Sequence, residues 1–284
     1  MNTRPASEKA LSVIDQYLHF RFDGATTNIP YYNNSHRAVK GGLRGAIGKG
    51  SPRDIFDETD IAMAREKISK PRGAIAGGSF IPDKLSDEAL KHFLVDNTIG
   101  IDCSGFVYYV LNAEYAEKGL GSLDRHLKFP YIKGVLGKLR AKMRPAENAD
   151  VATFAHNKNS RLLTLTETRP GDIIVMVENN LSGDQKKTLD RNNRDHILFI
   201  HQVDYQNFVP TALYYSHSIA WPSDGTYGHG VRQGKIEILD IHKPLTEQKW
   251  IENEKIGGSD AMSENYTFTH ALKARTEIRR MLSL

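Results

Sequence analysis

The chain has 284 residues, 39% of them hydrophobic and 25% charged, and its 38 basic and 34 acidic side chains leave a formal net charge of +4. That length suits one large domain or two small ones with a sizeable core. No apolar run is long enough for a bilayer-spanning helix, one cysteine rules out a disulfide framework, and no aromatic-interleaved basic motif points to nucleic acid.

The amino-terminal stretch, Met1 to Phe20, is polar and amphipathic, with Leu11, Ile14 and Leu18 on a short helical stripe. It holds no apolar signal core, so localisation stays open between action inside the cell, export by another route, and a leader already removed. Further on, Gly41 to Gly50 resembles a phosphate loop only in composition: Leu43 stands where its first glycine belongs, and Gly50 replaces the magnesium-holding Ser or Thr. It reads as a flexible loop or lid within a helical lobe that runs from Met1 to about Gly100.

Cys103 lies in the run Gly100-Ile101-Asp102-Cys103-Ser104-Gly105-Phe106-Val107. Asp102 and Ser104 are good N-cap types, and Phe106, Val107, Val110, Leu111 and Tyr115 follow at helical spacing until Lys118-Gly119 stops the pattern. The cysteine therefore opens an amphipathic helix, where unpaired N–H groups and the helix dipole favour a thiolate and can lower its pKa to about 3.5–7.5. Gly105 clears space beside the sulfur. A lone thiol is either inert or a nucleophile, and this placement points to the nucleophile, which needs a base, usually histidine, held by a third group.

Four strands follow: Asp172–Val177 after the Arg169-Pro170-Gly171 turn, His196–Val203, Ala212–His217, and Lys235–Asp240. If Asp204 to Pro210 closes a hairpin, Val203 faces Pro210 and His196 faces His217. Directly opposed residues have Cβ atoms about 4.5–5.5 Å apart, close enough for an imidazole-to-imidazole hydrogen bond. A slip of one residue would move the pairing to Ser216 or Ser218. His201 falls on the other face by the period of two, which argues against a zinc site shared with His196 and His217. A tail helix from Thr269 to Leu282 ends in Arg279-Arg280. Helices and strands are largely segregated, which gives an α+β class with the Cys103 helix packed on an antiparallel sheet.

The segments Asp102-Cys103-Ser104-Gly105-Phe106-Val107, Arg169-Pro170-Gly171-Asp172-Ile173-Ile174, Asp195-His196-Ile197-Leu198-Phe199-Ile200 and Ser216-His217-Ser218, in this order, resemble the NlpC-type (new lipoprotein C) papain-like cysteine peptidases that cut cell-wall peptides. Gly230-Val231-Arg232 before the last strand fits the family's closing strand. The resemblance covers Cys103 to Asp240 with gaps. It departs from compact members in the long Pro30-to-Cys103 stretch and in the insertions Ala113 to Thr168 and Glu178 to Arg194.

The resemblance implies a papain-like NlpC-type fold with Cys103 as nucleophile, His196 as base and His217 orienting it. It gives Asp102 and Ser104 contact with a free amino group of the substrate. Tyr31, in the run Ile29-Pro30-Tyr31-Tyr32-Asn33, becomes a donor to the oxyanion or substrate, with Tyr32 the alternative. The implied substrate is a peptidoglycan peptide with a D-amino-acid linkage, such as a γ-D-glutamyl–diamino acid bond, and no cofactor or metal is called for. The expected organisation is one catalytic domain over 1–284: a lobe at 1–100, a core at 101–242 with insertions 113–168 and 178–194, and an extension at 243–284. Two other readings share these residues: a papain-like thiol acyltransferase acting on a non-wall substrate, and a wall-binding module with a vestigial site.

Overall fold

The computed structural model describes residues 2–33, 44–69, 85–178, 195–258 and 264–284. Most of the glycine-rich Gly41 to Gly50 loop is described from Arg44 onward, and the insertion 178–194 lies outside the described residues apart from Glu178. In chain order the strands are β1 (Asn2–Pro5), β2 (Phe20–Phe22), β3 (Ala25–Thr27), β4 (Ser160–Leu163), β5 (Ile173–Val177), β6 (His196–Gln206), β7 (Val209–Ile219), β8 (Gly230–Glu237), β9 (Lys249–Glu252), β10 (Lys255–Gly257) and β11 (Arg275–Met281). The helices are α1 (Glu8–Leu18), α2 (Pro52–Ser69), α3 (Asp87–Asp96), α4 (Cys103–Glu117), α5 (Val135–Met143), α6 (Pro145–Asn148), α7 (Val151–Ala155), α8 (Gly225–Gly228) and α9 (Tyr266–Lys273). The class is α+β.

The contacts divide the chain into two compact units. The first comprises Met1–Ile14, Cys103–His217 and Arg232–Leu284 and carries an antiparallel sheet in the order β10-β9-β8-β7-β6-β5-β11-β4. The far edge of β6 is shared: β5 pairs with its first half, from Met176↔His196 to Ile173↔Phe199, and β1 with its second, from Pro5↔Gln202 to Asn2↔Tyr205. Ile174, Met176, Leu198, Ile200, Tyr215 and Trp250 pack on one face of the sheet with Phe268 and Ala271 of α9. The alternate residues Ile173, Val175, Ile197 and Phe199 are also fully buried, as expected of strands covered on both sides. Helix α4 packs against β6.

The second unit comprises Asp15–Asp102 and Ser218–Val231. Its core gathers Tyr17, Ile29, Ile55, Leu90, Leu94 and Ile101. The β2–β3 hairpin adds Phe20 and Phe22, whose rings meet Phe56 of α2. The first fourteen residues go with the sheet through β1 and β6.

Two expectations are corrected. The β6–β7 hairpin closes on two residues, Asn207 and Phe208, with φ of 50° and 65°, instead of on Asp204 to Pro210. Paired positive φ values match the twist of the flanking strands, and both strands run on through the expected loop: Asp204 pairs with Ala212 and Gln206 with Val209. The polar residue that suggested a turn is held inside the sheet, since the Asp204 carboxylate accepts from Thr3 Oγ1 at 2.7 Å and Tyr214 Oη at 3.0 Å.

The second correction concerns the tail. The helix ends at Lys273, and Arg275–Met281 forms β11 between β5 and β4. Two ladders pull this stretch into the sheet against its helical composition. Ile278 joins the core. Arg279 and Arg280 do not end a helix: Arg279 donates to Ser160 Oγ and Asn157 Oδ1, and Arg280 makes a two-pronged pair with Asp172 at 2.7 and 2.9 Å. Asp172 of the Pro-Gly-Asp motif therefore fastens the start of β5 to β11. Burial raises its pKa, against the lowering by Arg280. Arg280→Leu strands that carboxylate in the interior and is expected to cost about 3–5 kcal/mol, read by urea unfolding.

Candidate functional site

Helix α4 begins at Cys103, so the sulfur sits at the end where main-chain N–H groups lack helical partners. Phe106, Val107, Val110 and Leu111 are fully buried, which anchors the helix. It ends where expected: Gly119 has φ +72° and Leu120 N donates to Tyr115 O, a left-handed stop that glycine adopts without strain. Cys103 is itself buried, 6% exposed.

His196 is the first residue of β6, and His217 lies near the end of β7. The nearest ladder pair is Phe199↔Ser216, and an extra residue, His201, bulges between Ile200 and Gln202. Continued outward, that register sets Leu198, not His196, across from His217. The direct pairing expected from the sequence is thus corrected to a diagonal one, two residues along on the same face, which is still within reach of long side chains. His196 Nε2 lies 2.7 Å from His217 Nδ1. His201 turns to Ser216 Oγ at 2.9 Å.

The chain of contacts continues to residues the sequence did not single out. His217 Nε2 lies 3.1 Å from Glu252 Oε1. Glu252 Oε2 accepts from Tyr215 Oη at 2.7 Å, and Arg232 Nε stands 3.9 Å from Oε1. All of these groups are buried. Gly234 sits across the ladder from Glu252, and a Cβ there would collide with the Tyr215 ring and phenol oxygen. That glycine gives Tyr215 the room to reach the carboxylate. On the other side of His196, the His270 ring of α9 stacks at 5.7 Å between centroids.

The order of donors follows from chemistry. A carboxylate only accepts, so His217 carries its hydrogen on Nε2 and offers the bare Nδ1 to His196. His196 then donates from Nε2, and its Nδ1 is left as the basic nitrogen. Burial first, then His217 and His270, pushes the His196 pKa well below 6.5. Burial, then the Glu252 charge, pushes Tyr215 well above 10, so the phenol stays a donor.

Burial also holds His201 down to about 4. Between 6.5 and 4 the unfolded chain takes up this proton and the folded one refuses it. The associated stability is complete above 6.5 and is lost as the pH falls towards 4. His196 acts with the same sign. We expect the melting temperature to drop over that window, and His201→Gln to flatten the slope in a pH series of thermal melts.

Of the other residues named from the sequence, Ser104 is buried in the first turn of α4. Both Asp102 carboxylate oxygens bond Lys49 Nζ, at 2.9 and 2.8 Å, and Asp102 N donates to Gly48 O. Tyr31 bridges Ile101, and its main-chain N–H donates to His229 Nδ1 at 3.2 Å. Ser218 Oγ donates to Ile101 O at 2.8 Å. Ser218 follows His217 directly, and Ile101 precedes Cys103 by two residues. That bond therefore ties the start of the cysteine helix to the strand end bearing the histidine pair. Among the described residues no group of three or more His, Cys, Asp or Glu is arranged to hold a metal ion.

No family model matches the chain, and neither a curated protein nor a solved structure matches it.

Proposed function

We propose that the chain is a thiol hydrolase of the NlpC-type papain-like kind that cuts an amide bond in peptidoglycan peptides, with Cys103, His196 and His217 as its triad. The observation that carries this reading is the ordered series His196–His217–Glu252, with His196 opening the strand on which the helix of the single cysteine packs. Such a series presents one basic nitrogen with a fixed tautomer, which is what a nucleophile's partner requires.

In the proposed reaction the substrate carbonyl meets the Cys103 sulfur. His196 Nδ1 takes the thiol proton as the S–C bond forms, and the lowered His196 pKa favours this over a resting ion pair. The first-turn N–H groups of α4 stabilise the oxyanion, a contribution of about 2.7–4 kcal/mol per donor in comparable sites. The imidazolium gives its proton to the leaving amine as the C–N bond breaks and a thioester remains. Water, deprotonated by His196, then releases the acid and restores the thiol. His217 and Glu252 hold the His196 ring and offset its transient charge. The role implied for Ser104 stays within this reading.

The test is mass spectrometry of muropeptides incubated with the reduced protein. New fragments whose masses locate one broken amide support the proposal. Unchanged muropeptides sink the wall-peptide assignment. A competing amine in the same reaction separates hydrolysis from acyl transfer.

A further inference from the structure

Helix α5 turns its apolar side outward. Val135, Leu136, Leu139 and Met143 are 84, 82, 55 and 71% exposed. Successive helical residues rotate by about 100°, so these four share an arc of only about 100°. The opposite side carries the small residues Gly137 and Ala141, of which Ala141 is buried, and the helix seats there beside α6. The four large side chains thus point directly away from the protein.

The charges around this arc all have one sign. Lys138 and Lys142 flank it on one side and Arg140 on the other, with Lys133 just before the helix, while Arg144 at its end is paired with Glu147 at 3.2 Å. No acidic residue occurs from Tyr131 to Ala146. An outward apolar stripe with cations on both flanks is the pattern of a helix lying in the plane of a bilayer interface. The stripe enters the acyl boundary, while the flanking ammonium and guanidinium groups reach the headgroups.

We infer that α5 docks the protein on a membrane surface rich in anionic lipid. The stripe and the cations select this occupant together. A soluble polyanion would satisfy the cations and leave four apolar side chains in water. A second copy would bring two equally charged faces into contact. A flat anionic bilayer meets the stripe and both flanks at once. No described helix is long and apolar enough to cross a membrane, and a helix lying in the interface needs no such length.

Vesicle flotation tests the inference, using phosphatidylcholine vesicles with and without phosphatidylglycerol. The protein is expected to float with the anionic vesicles at least about tenfold more than with the neutral ones, and less at high salt. Leu136→Glu/Leu139→Glu is expected to abolish flotation, and Lys138→Glu/Lys142→Glu to reduce it about tenfold or more. These side chains are largely solvent-exposed, so both double variants should melt like wild type, and matched thermal melts verify it. Equal recovery with both vesicle types, or flotation untouched by either variant, overturns the inference. So does an oligomer in size-exclusion chromatography that Leu136→Glu/Leu139→Glu dissociates while vesicles recover no protein.

Discussion

Cys103→Ala is expected to remove wall-peptide turnover by about 10⁴–10⁶-fold while leaving the fold intact. The size of the loss follows from the role. A nucleophile that forms the covalent intermediate has no substitute, and what survives its removal is binding and oxyanion stabilisation alone. The fold should tolerate the change because one small buried side chain replaces another at the head of a helix anchored by Phe106, Val107, Val110 and Leu111. Unfolding should move by no more than about 1 kcal/mol. His196→Ala should cost nearly as much, and the double variant no more than either alone, since residues that act as a unit are not additive. Rates on a purified muropeptide, with urea unfolding of each variant, measure both halves of the expectation.

Glu252→Gln is expected to lower kcat by about 10²–10³-fold with little change in KM. The amide is the same size as the carboxylate, and its oxygen can still accept from His217 Nε2 while its NH₂ faces Tyr215 Oη. What disappears is the negative charge behind the imidazole pair. The imidazolium that forms on His196 during attack then lacks its counter-charge, and Arg232, 3.9 Å from the carboxylate in the native chain, becomes a like charge in the same buried place. In a serine triad, converting the orienting carboxylate to an amide costs about 10⁴ in kcat. Glu252 acts through one further ring, so the smaller figure follows. Because Glu252 touches His217, Tyr215 and Arg232 and sits behind the reacting atoms, substrate affinity should hold. A loss in KM alone, or equal rates for Glu252→Gln and wild type, would show that the carboxylate only supports the sheet.

Much of this arrangement was legible in the chain. The cysteine helix is written in its apolar spacing and its Lys118-Gly119 stop. Strands β5 to β7 are written in runs of β-branched and aromatic residues, whereas the strand expected at Lys235–Asp240 instead runs Gly230–Glu237, through the Gly230-Val231-Arg232 segment and past a glycine and charged residues that hide it. The histidine pair follows from placing two such strands side by side, although the ladder sets the two rings diagonally and not directly across from each other. Asn207-Phe208 turns the hairpin without a glycine, so nothing singled out those two positions within the longer Asp204 to Pro210 stretch, while Asp204 looked like loop and is bound within the sheet by Thr3 and Tyr214. The bulge at His201 shifts the ladder by one residue, a displacement that side-chain patterning does not encode.

Glu252 was harder to see. It ends a four-residue strand, and the Asn253-Glu254 turn after it, with φ of 49° and 63°, again lacks glycine. Its partners are 20, 35 and 37 residues away in sequence, so only the order of strands β9-β8-β7 brings it to the site. The same holds for β11. Its arginines read as a helix end until Asp172 and Ser160 are placed beside them by tertiary pairing.

Whether His196 serves Cys103 is read from the reactivity of the thiol itself, which needs no substrate in a chain with no second cysteine. Alkylation by iodoacetamide, followed by intact mass across a pH series, compares wild type with His196→Asn. With His196 taking the thiol proton as the sulfur attacks, wild-type Cys103 is expected to be alkylated well below pH 8.5, the ordinary thiol range, and His196→Asn is expected to move the profile back up towards it. Identical profiles for the two proteins would contradict it, because Cys103 would then be a buried thiol with no base.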